Sequence, residues 1–295
     1  MVDPARESFL DRLRARSESL GGNLCVGLDP VLDSLPYHLG RDPQGARRFC
    51  LDLVEATAEY ACAYKPNAAF FEAMGASGWE VLLEVVAAAQ KRALVVLDAK
   101  RGDVGHTAEA YARAAFEHLG ADACTVSGYL GYDSVEPFVR HADRMAFVLC
   151  RTSNPSAGDL QDLAVGDSGA PLYVEVARRV AGWGQAHPSP RLGLVTGATW
   201  PSEIARIREA APGLPFLIPG VGAQGGDLEA AVAAALGPDR SGVYLLTVSR
   251  GIGGTSRGPD FAAAASVAAA GYLARIRSAA APGVAEQGVP AASTL

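Results

Sequence analysis

Along this chain, short apolar runs alternate with longer stretches in which apolar positions recur at helical spacing. Eight runs read as strands: Asn23–Asp29, Ala63–Asn67, Ala93–Lys100, Ala123–Tyr129, Met145–Ser153, Arg191–Thr199, Pro215–Gly222 and Gly242–Arg250. Between them lie Ala-rich amphipathic segments such as Trp79–Arg92 and Thr107–Leu119. Strands that alternate with helices build right-handed βαβ units on a parallel sheet. Eight such units in 295 residues predict a closed (β/α)8 TIM barrel, with a doubly wound open sheet as the alternative. Residues Pro4 to Leu20 add an extra N-terminal helix. Residues 1–280 read as one barrel domain, and the Ala/Gly/Pro-rich stretch 281–295, with little to bury, reads as a disordered tail.

Polar residues collect where these strands end. Asp29 closes the first, Lys65 and Asn67 the second, Asp98 and Lys100 the third, Ser153 and Asn154 the fifth, and Arg250 the eighth. That is the face on which barrels build their active sites. In the third strand the side chains alternate, so Leu94, Val96, Asp98 and Lys100 share one face. With Leu94 and Val96 filling the barrel, Asp98 and Lys100 point into its mouth. Gly102 lets the chain turn, and Asp103 follows in the loop. With Lys65 on the neighbouring strand, two lysines and two carboxylates form an alternating array. Each carboxylate then keeps a cation beside it, and all four groups stay ionised. On spacing alone, ordinary ion pairs at a barrel rim remain the lesser alternative.

The seventh strand runs into Pro219-Gly220-Val221-Gly222-Ala223-Gln224-Gly225-Gly226, and the eighth into Ser249-Arg250-Gly251. Glycines let backbone N–H groups approach an anion, and the Arg250 fork suits phosphate oxygens. Loops after strands seven and eight are the common phosphate site of barrels. The spacing is not that of a dinucleotide fingerprint.

Composition narrows the field further. The net charge is −6, with no basic block to suggest a nucleic-acid or anionic-membrane surface. Although 49% of residues are hydrophobic, no apolar run approaches the ~20 residues that cross a bilayer, and the charged N-terminus lacks a signal-peptide core. Five cysteines, odd in number and widely spaced, read as reduced core residues of a cytoplasmic protein. No His, Cys or Asp cluster has metal-ligand spacing. His106 reads as an ordinary surface histidine, and Trp79, Trp183 and Trp200 as packing residues.

Asp98-Ala-Lys100-Arg-Gly-Asp103 followed by Thr107 resembles the signature of the orotidine 5′-phosphate decarboxylase family, in its longer-chain branch. The resemblance extends over Val26-Gly-Leu-Asp29-Pro30, Lys65-Pro-Asn67 with Phe70-Phe-Glu72, Arg151-Thr-Ser153-Asn-Pro155, and the two Gly-rich loops. It covers residues 23 to 255 in barrel order and departs only at Ser127-Gly128-Tyr129, where Asn-Pro before the Tyr is expected. It implies decarboxylation of orotidine 5′-phosphate to uridine 5′-phosphate in pyrimidine biosynthesis, with no metal, flavin or pyridoxal cofactor. It implies catalytic Lys100, Asp98, Lys65 and Asp103, with Lys100 as proton donor to C6 of the pyrimidine. Asp29 falls to the ribose hydroxyls, Ser153 to the pyrimidine edge, and Gln224 and Arg250 to the phosphate. Asn67, Thr107, Pro219, Gly222, Gly225 and Ser249 complete the substrate contacts. The resemblance further implies a homodimer with the active site at the interface, Asp103 and Thr107 reaching into the partner's site. Two rivals remain: a sugar-phosphate decarboxylase or aldolase barrel that uses Mg2+, and a non-catalytic phosphate-binding barrel.

Overall fold

In the computed structural model, residues 7–187, 190–222 and 225–281 are described. Eight parallel strands close into a barrel: β1 (Leu24–Leu28), β2 (Ala63–Pro66), β3 (Leu94–Arg101), β4 (Ala123–Val126), β5 (Met145–Arg151), β6 (Leu192–Thr196), β7 (Phe216–Ile218) and β8 (Tyr244–Val248). Each pairs with its sequence neighbours, and Leu24 opposite Leu246 joins β1 to β8. Closure excludes the open-sheet alternative. All eight expected strands are present, seven of them shorter and β3 equally long but shifted by one residue. Asn67 and Ser153 lie just beyond them, and Arg250 opens a short helix, Arg250–Gly253.

Period-two alternation divides the strand side chains between two apolar layers. Leu24, Val26, Val95, Leu97, Ala146 and Val148 face outward and pack under the helices. Cys25, Ala63, Leu94, Val96, Ala123 and Phe147 face inward and fill the lower barrel. Burial on both faces explains why these strands read as continuous apolar runs. The N-terminal helix spans Phe9–Leu20; the expected start at Pro4 lies outside the described residues. Ser8 caps it by accepting the Asp11 N–H, and Gly21, in the left-handed conformation, ends it. Its buried residues Phe9, Leu10 and Leu13 plug the floor of the barrel, with Phe9 edge-on to Phe147 at 5.9 Å.

The expected helix over Thr107–Leu119 begins at Gly105, is α-helical to Arg113 and passes into a π-helical turn over Ala114–His118. The β5–β6 connection carries elements too short to announce themselves by periodicity: a helical turn Gly158–Gln161 and a hairpin pairing Ala164–Val165 with Ala170–Pro171. All five cysteines are free and buried, and burial pushes the thiols of Cys25, Cys62 and Cys124 up to about 12. No helix among the described residues is long and apolar enough to cross a membrane. The tail beyond Ala281 lies outside the described residues.

Candidate active site

The inward alternation that fills the floor with apolar groups continues upward into polar ones. Above Ala63 comes Lys65; above Val96 comes Asp98; above Ala123 comes Thr125. These line a cavity of about 700 Å³ at the C-terminal mouth, within the usual size of a small-molecule site.

Asp98 is the hub. Its Oδ2 accepts from Lys65 Nζ at 2.8 Å and its Oδ1 from Lys100 Nζ at 2.6 Å. Burial alone would push the Asp98 carboxyl up, but the ammonium groups of Lys65 and Lys100 outweigh it and hold the group far below the usual carboxylate range. Burial alone would likewise strip the proton from Lys65; the carboxylates of Asp98 and Asp29 outweigh it and raise its pKa. Asp98 and Lys65 are therefore both ionised at neutral pH. Lys65 is enclosed, whereas the Lys100 side chain is 48% exposed to the cavity.

Lys100 reaches this position through an irregular backbone. Its φ is +49°, and the β3–β4 register slips between Leu97 and Arg101. Simple alternation put Lys100 on the correct face without revealing this bulge. Gly102 serves close packing: a Cβ there would stand 3.1 Å from Ser127 Cβ and Ser127 O. Arg101 leaves the barrel, pairs with Glu72 and lies over the Tyr111 ring at 5.1 Å.

The upper wall is built from loops. Asp29, Asn67, Ser153, Pro219, Ser249 and Arg250, all singled out in the sequence, line the same cavity. In the loop after β7, Gly220, Gly222 and Gly225 have φ of +101°, +82° and +78°, a region that favours glycine. Gly222 and Gly225 do not border the cavity themselves, and Gln224 lies outside the described residues. Asp103 and Thr107 are likewise absent from the lining of their own chain's cavity. The Asp103 carboxylate instead accepts the Val104 N–H at 2.8 Å.

Three polar lining residues, Thr125, Thr247 and Gln161, carry no mark in the sequence reading. Thr125 is 1% exposed and donates to Asp98 Oδ1 at 2.9 Å; the alternation applied to β3 points to it when applied to β4. Thr247 is the inward residue of β8 below Ser249. Gln161 sits on the short helix after β5, where its Oε1 accepts from Thr152 N at 2.9 Å and from Arg151 Nη1 at 3.3 Å. Arg151 is buried between Tyr173 and Trp200 and pairs with Asp162, so the loop carrying Ser153 is tied to the segment that follows it. No local pattern marks Gln161.

Residues 22–265 match the model of the orotidine 5′-phosphate decarboxylase / HUMPS family. A protein of Herpetosiphon aurantiacus named orotidine 5′-phosphate decarboxylase is 48% identical over 90% of this chain and 96% of its own length. The structure of Leishmania donovani OMP decarboxylase superposes with a TM-score of 0.78 at 45% identity, covering 92% of this chain and 99% of that one. Leishmania donovani UMP synthase matches with a TM-score of 0.79 at 48% identity, and there the chain spans 56% of the longer protein. A closed parallel barrel, an Asp between two lysines at its mouth, and relatives matched over nearly their full length agree: this chain belongs to the orotidine 5′-phosphate decarboxylase family.

Proposed function

We propose that the chain decarboxylates orotidine 5′-phosphate to uridine 5′-phosphate and CO2, a step of pyrimidine biosynthesis. The observation that carries this reading is Asp98 held between Lys65 and Lys100, with Lys100 alone of the three well exposed to the cavity. When the C6–carboxylate bond breaks, its electron pair stays on C6 in the plane of the ring, where the ring π system cannot take it up. The site must supply a positive charge beside C6 and then a proton. The Lys100 ammonium does both: it stabilises the developing carbanion, gives a proton to C6, and regains one from water. Lys65 keeps the Asp98 charge compensated while Lys100 is neutral. Arg250 and the loop after β7 suit the phosphate, whose binding energy is expressed in orienting the distant reacting carbon.

The test follows orotidine 5′-phosphate by absorbance with EDTA-treated protein. Conversion to uridine 5′-phosphate at an undiminished rate is expected; loss of activity in EDTA with recovery in Mg2+ points to the metal-dependent sugar-phosphate rival.

We propose also that the active form is a homodimer in which Asp103 and Thr107 complete the partner's site. Within one chain Asp103, the second carboxylate of the expected array, does not line the cavity that holds Lys65, Asp98 and Lys100. Asp103 lies in the loop beyond β3, beside Val104, which is 53% exposed. The adjoining loop after β4 carries Tyr129 and Leu130, 88% and 49% exposed. Apolar side chains of that size on a rim suit a covered surface. Lys100→Ala and Asp103→Ala chains are each expected to be nearly inactive, and mixing them restores one good site per heterodimer, about a quarter of wild-type activity for random association. No recovery despite verified subunit exchange removes Asp103 from the partner's site.

A further inference from the structure

We infer that Thr125 is a positioning residue for the proton donor: its hydroxyl holds the β3 bulge that presents Lys100 and fixes the Asp98 carboxylate beside it. The inference rests on the reading of Lys100 as proton donor.

The argument is one of hydrogen-bond inventory. Thr125 Oγ1 accepts from Ala99 N and from Lys100 N, both at 3.0 Å. A hydroxyl has two acceptor lone pairs and one proton. Two backbone N–H groups occupy the lone pairs, so the proton is left to be given away, and Asp98 Oδ1 lies 2.9 Å from it. The bond between Thr125 and Asp98 therefore has one possible direction. Asp98 Oδ1 receives the Thr125 proton and a Lys100 proton together, while Oδ2 receives one from Lys65.

The two N–H groups concerned lie where the sheet fails them. Between Leu97 and Arg101 the β3–β4 register slips, and Lys100 adopts a φ of +49°, which non-glycine residues rarely hold without support from their surroundings. Among the described residues only Arg240 shares such a φ outside glycine. The side chain of Thr125 takes the place of the missing carbonyl acceptors. Removing its oxygen frees the bulge to relax, and with it the stem from which the Lys100 ammonium reaches the cavity. Valine has the volume of threonine without the hydroxyl; serine keeps the hydroxyl and loses only a methyl.

Thr125→Val, Thr125→Ser and Lys100→Ala proteins are compared for kcat, KM and thermal unfolding. In Thr125→Val, kcat is expected to fall about 10- to 100-fold, the scale of a misplaced catalytic group. KM should stay near wild type, because Asp29 and Arg250, read as the ribose and phosphate contacts, follow β1 and β8 and not the bulged β3. Thr125→Ser should keep kcat within about threefold. Wild-type kcat in Thr125→Val overturns the inference, as does an equal loss in Thr125→Ser. Should Thr125→Val not fold, Thr125→Ser against Thr125→Ala reads the same contrast, and equal kcat in that pair is fatal to it. If Lys100→Ala keeps full activity, the proton-donor reading falls and this inference with it; an inactive Lys100→Ala beside a fully active Thr125→Val sinks the Thr125 assignment alone.

Discussion

Asp98 and Asp122 stand at opposite ends of the barrel, each between two basic side chains, and the partners make them different devices. At the floor, Asp122 Oδ1 meets Arg12 Nη1 at 2.7 Å and Arg144 Nη1 at 3.1 Å, while its Oδ2 accepts from Val95 N at 2.9 Å. The arginines go on to bond backbone carbonyls: Arg12 that of Asp143, Arg144 those of Gly120 and Ala121. A planar guanidinium with several fixed donors stitches segments together and does not give up its proton. At the mouth the partners are lysines, compact charges able to transfer a proton, and one of them is half exposed. On the proposed reading, a carboxylate flanked by two cations is thus a latch or a reaction centre according to which cation is used and whether it faces a cavity.

The comparison breaks most sharply at Lys100. Lys100→Ala is expected to lower kcat by on the order of 10³-fold or more, since it removes both proton donor and local charge, with little change in the unfolding midpoint; steady-state kinetics beside a thermal melt check both halves. Asp122→Asn should do the reverse. It leaves two arginine charges without their shared counter-ion, costing about 3–5 kcal/mol of stability in denaturant titration, while kcat of the folded protein stays unchanged. Arg250→Ala should weaken binding of the phosphorylated nucleotide by about 1.5–3 kcal/mol relative to the nucleoside; equal losses for both ligands remove Arg250 from the phosphate site.

The smallest expected effect is with pH. The lysines hold the Asp98 carboxyl far below the usual range. A lowered folded pKa means that its contribution is fully present above the ordinary carboxylate value of ~4 and is lost only as pH falls through the lowered one. At saturating substrate, kcat should therefore show no acid limb from Asp98 between about pH 8 and pH 5. A limb there that moves to higher pH in Lys65→Met, which removes one of the cations holding the carboxyl down, would show that Asp98 titrates in that range.

What could be read from the sequence follows from how each feature is encoded. Eight strands, and Asp98 with Lys100 on one face, follow from periodicity, because a barrel buries both faces of every strand and places charge only where the apolar run ends. Most strand ends fall short of where the polarity pattern puts them, since Ser153 and Arg250 continue it after the ladder has stopped. Thr125 looks in sequence like one more β-former inside Ala123–Val126, and its value lies in the three groups it meets. Gln161 is visible only once its short helix lies beside the loop after β5, where its Oε1 meets Thr152 N, and a helix of four residues carries no period.

The plugged floor has a kinetic consequence. With Phe9, Leu10 and Leu13 sealing one end, the barrel is a well with a single door. Substrate, CO2 and nucleotide product share that door, so traffic is ordered. The small neutral gas leaves past the rim, while a nucleotide still gripped by its phosphate blocks the next arrival. On the proposed reading, turnover then waits on the product leaving by that same door. Any compact 5′-phosphorylated nucleoside that seats in the mouth acts as a stopper, competing with entry by occupancy alone.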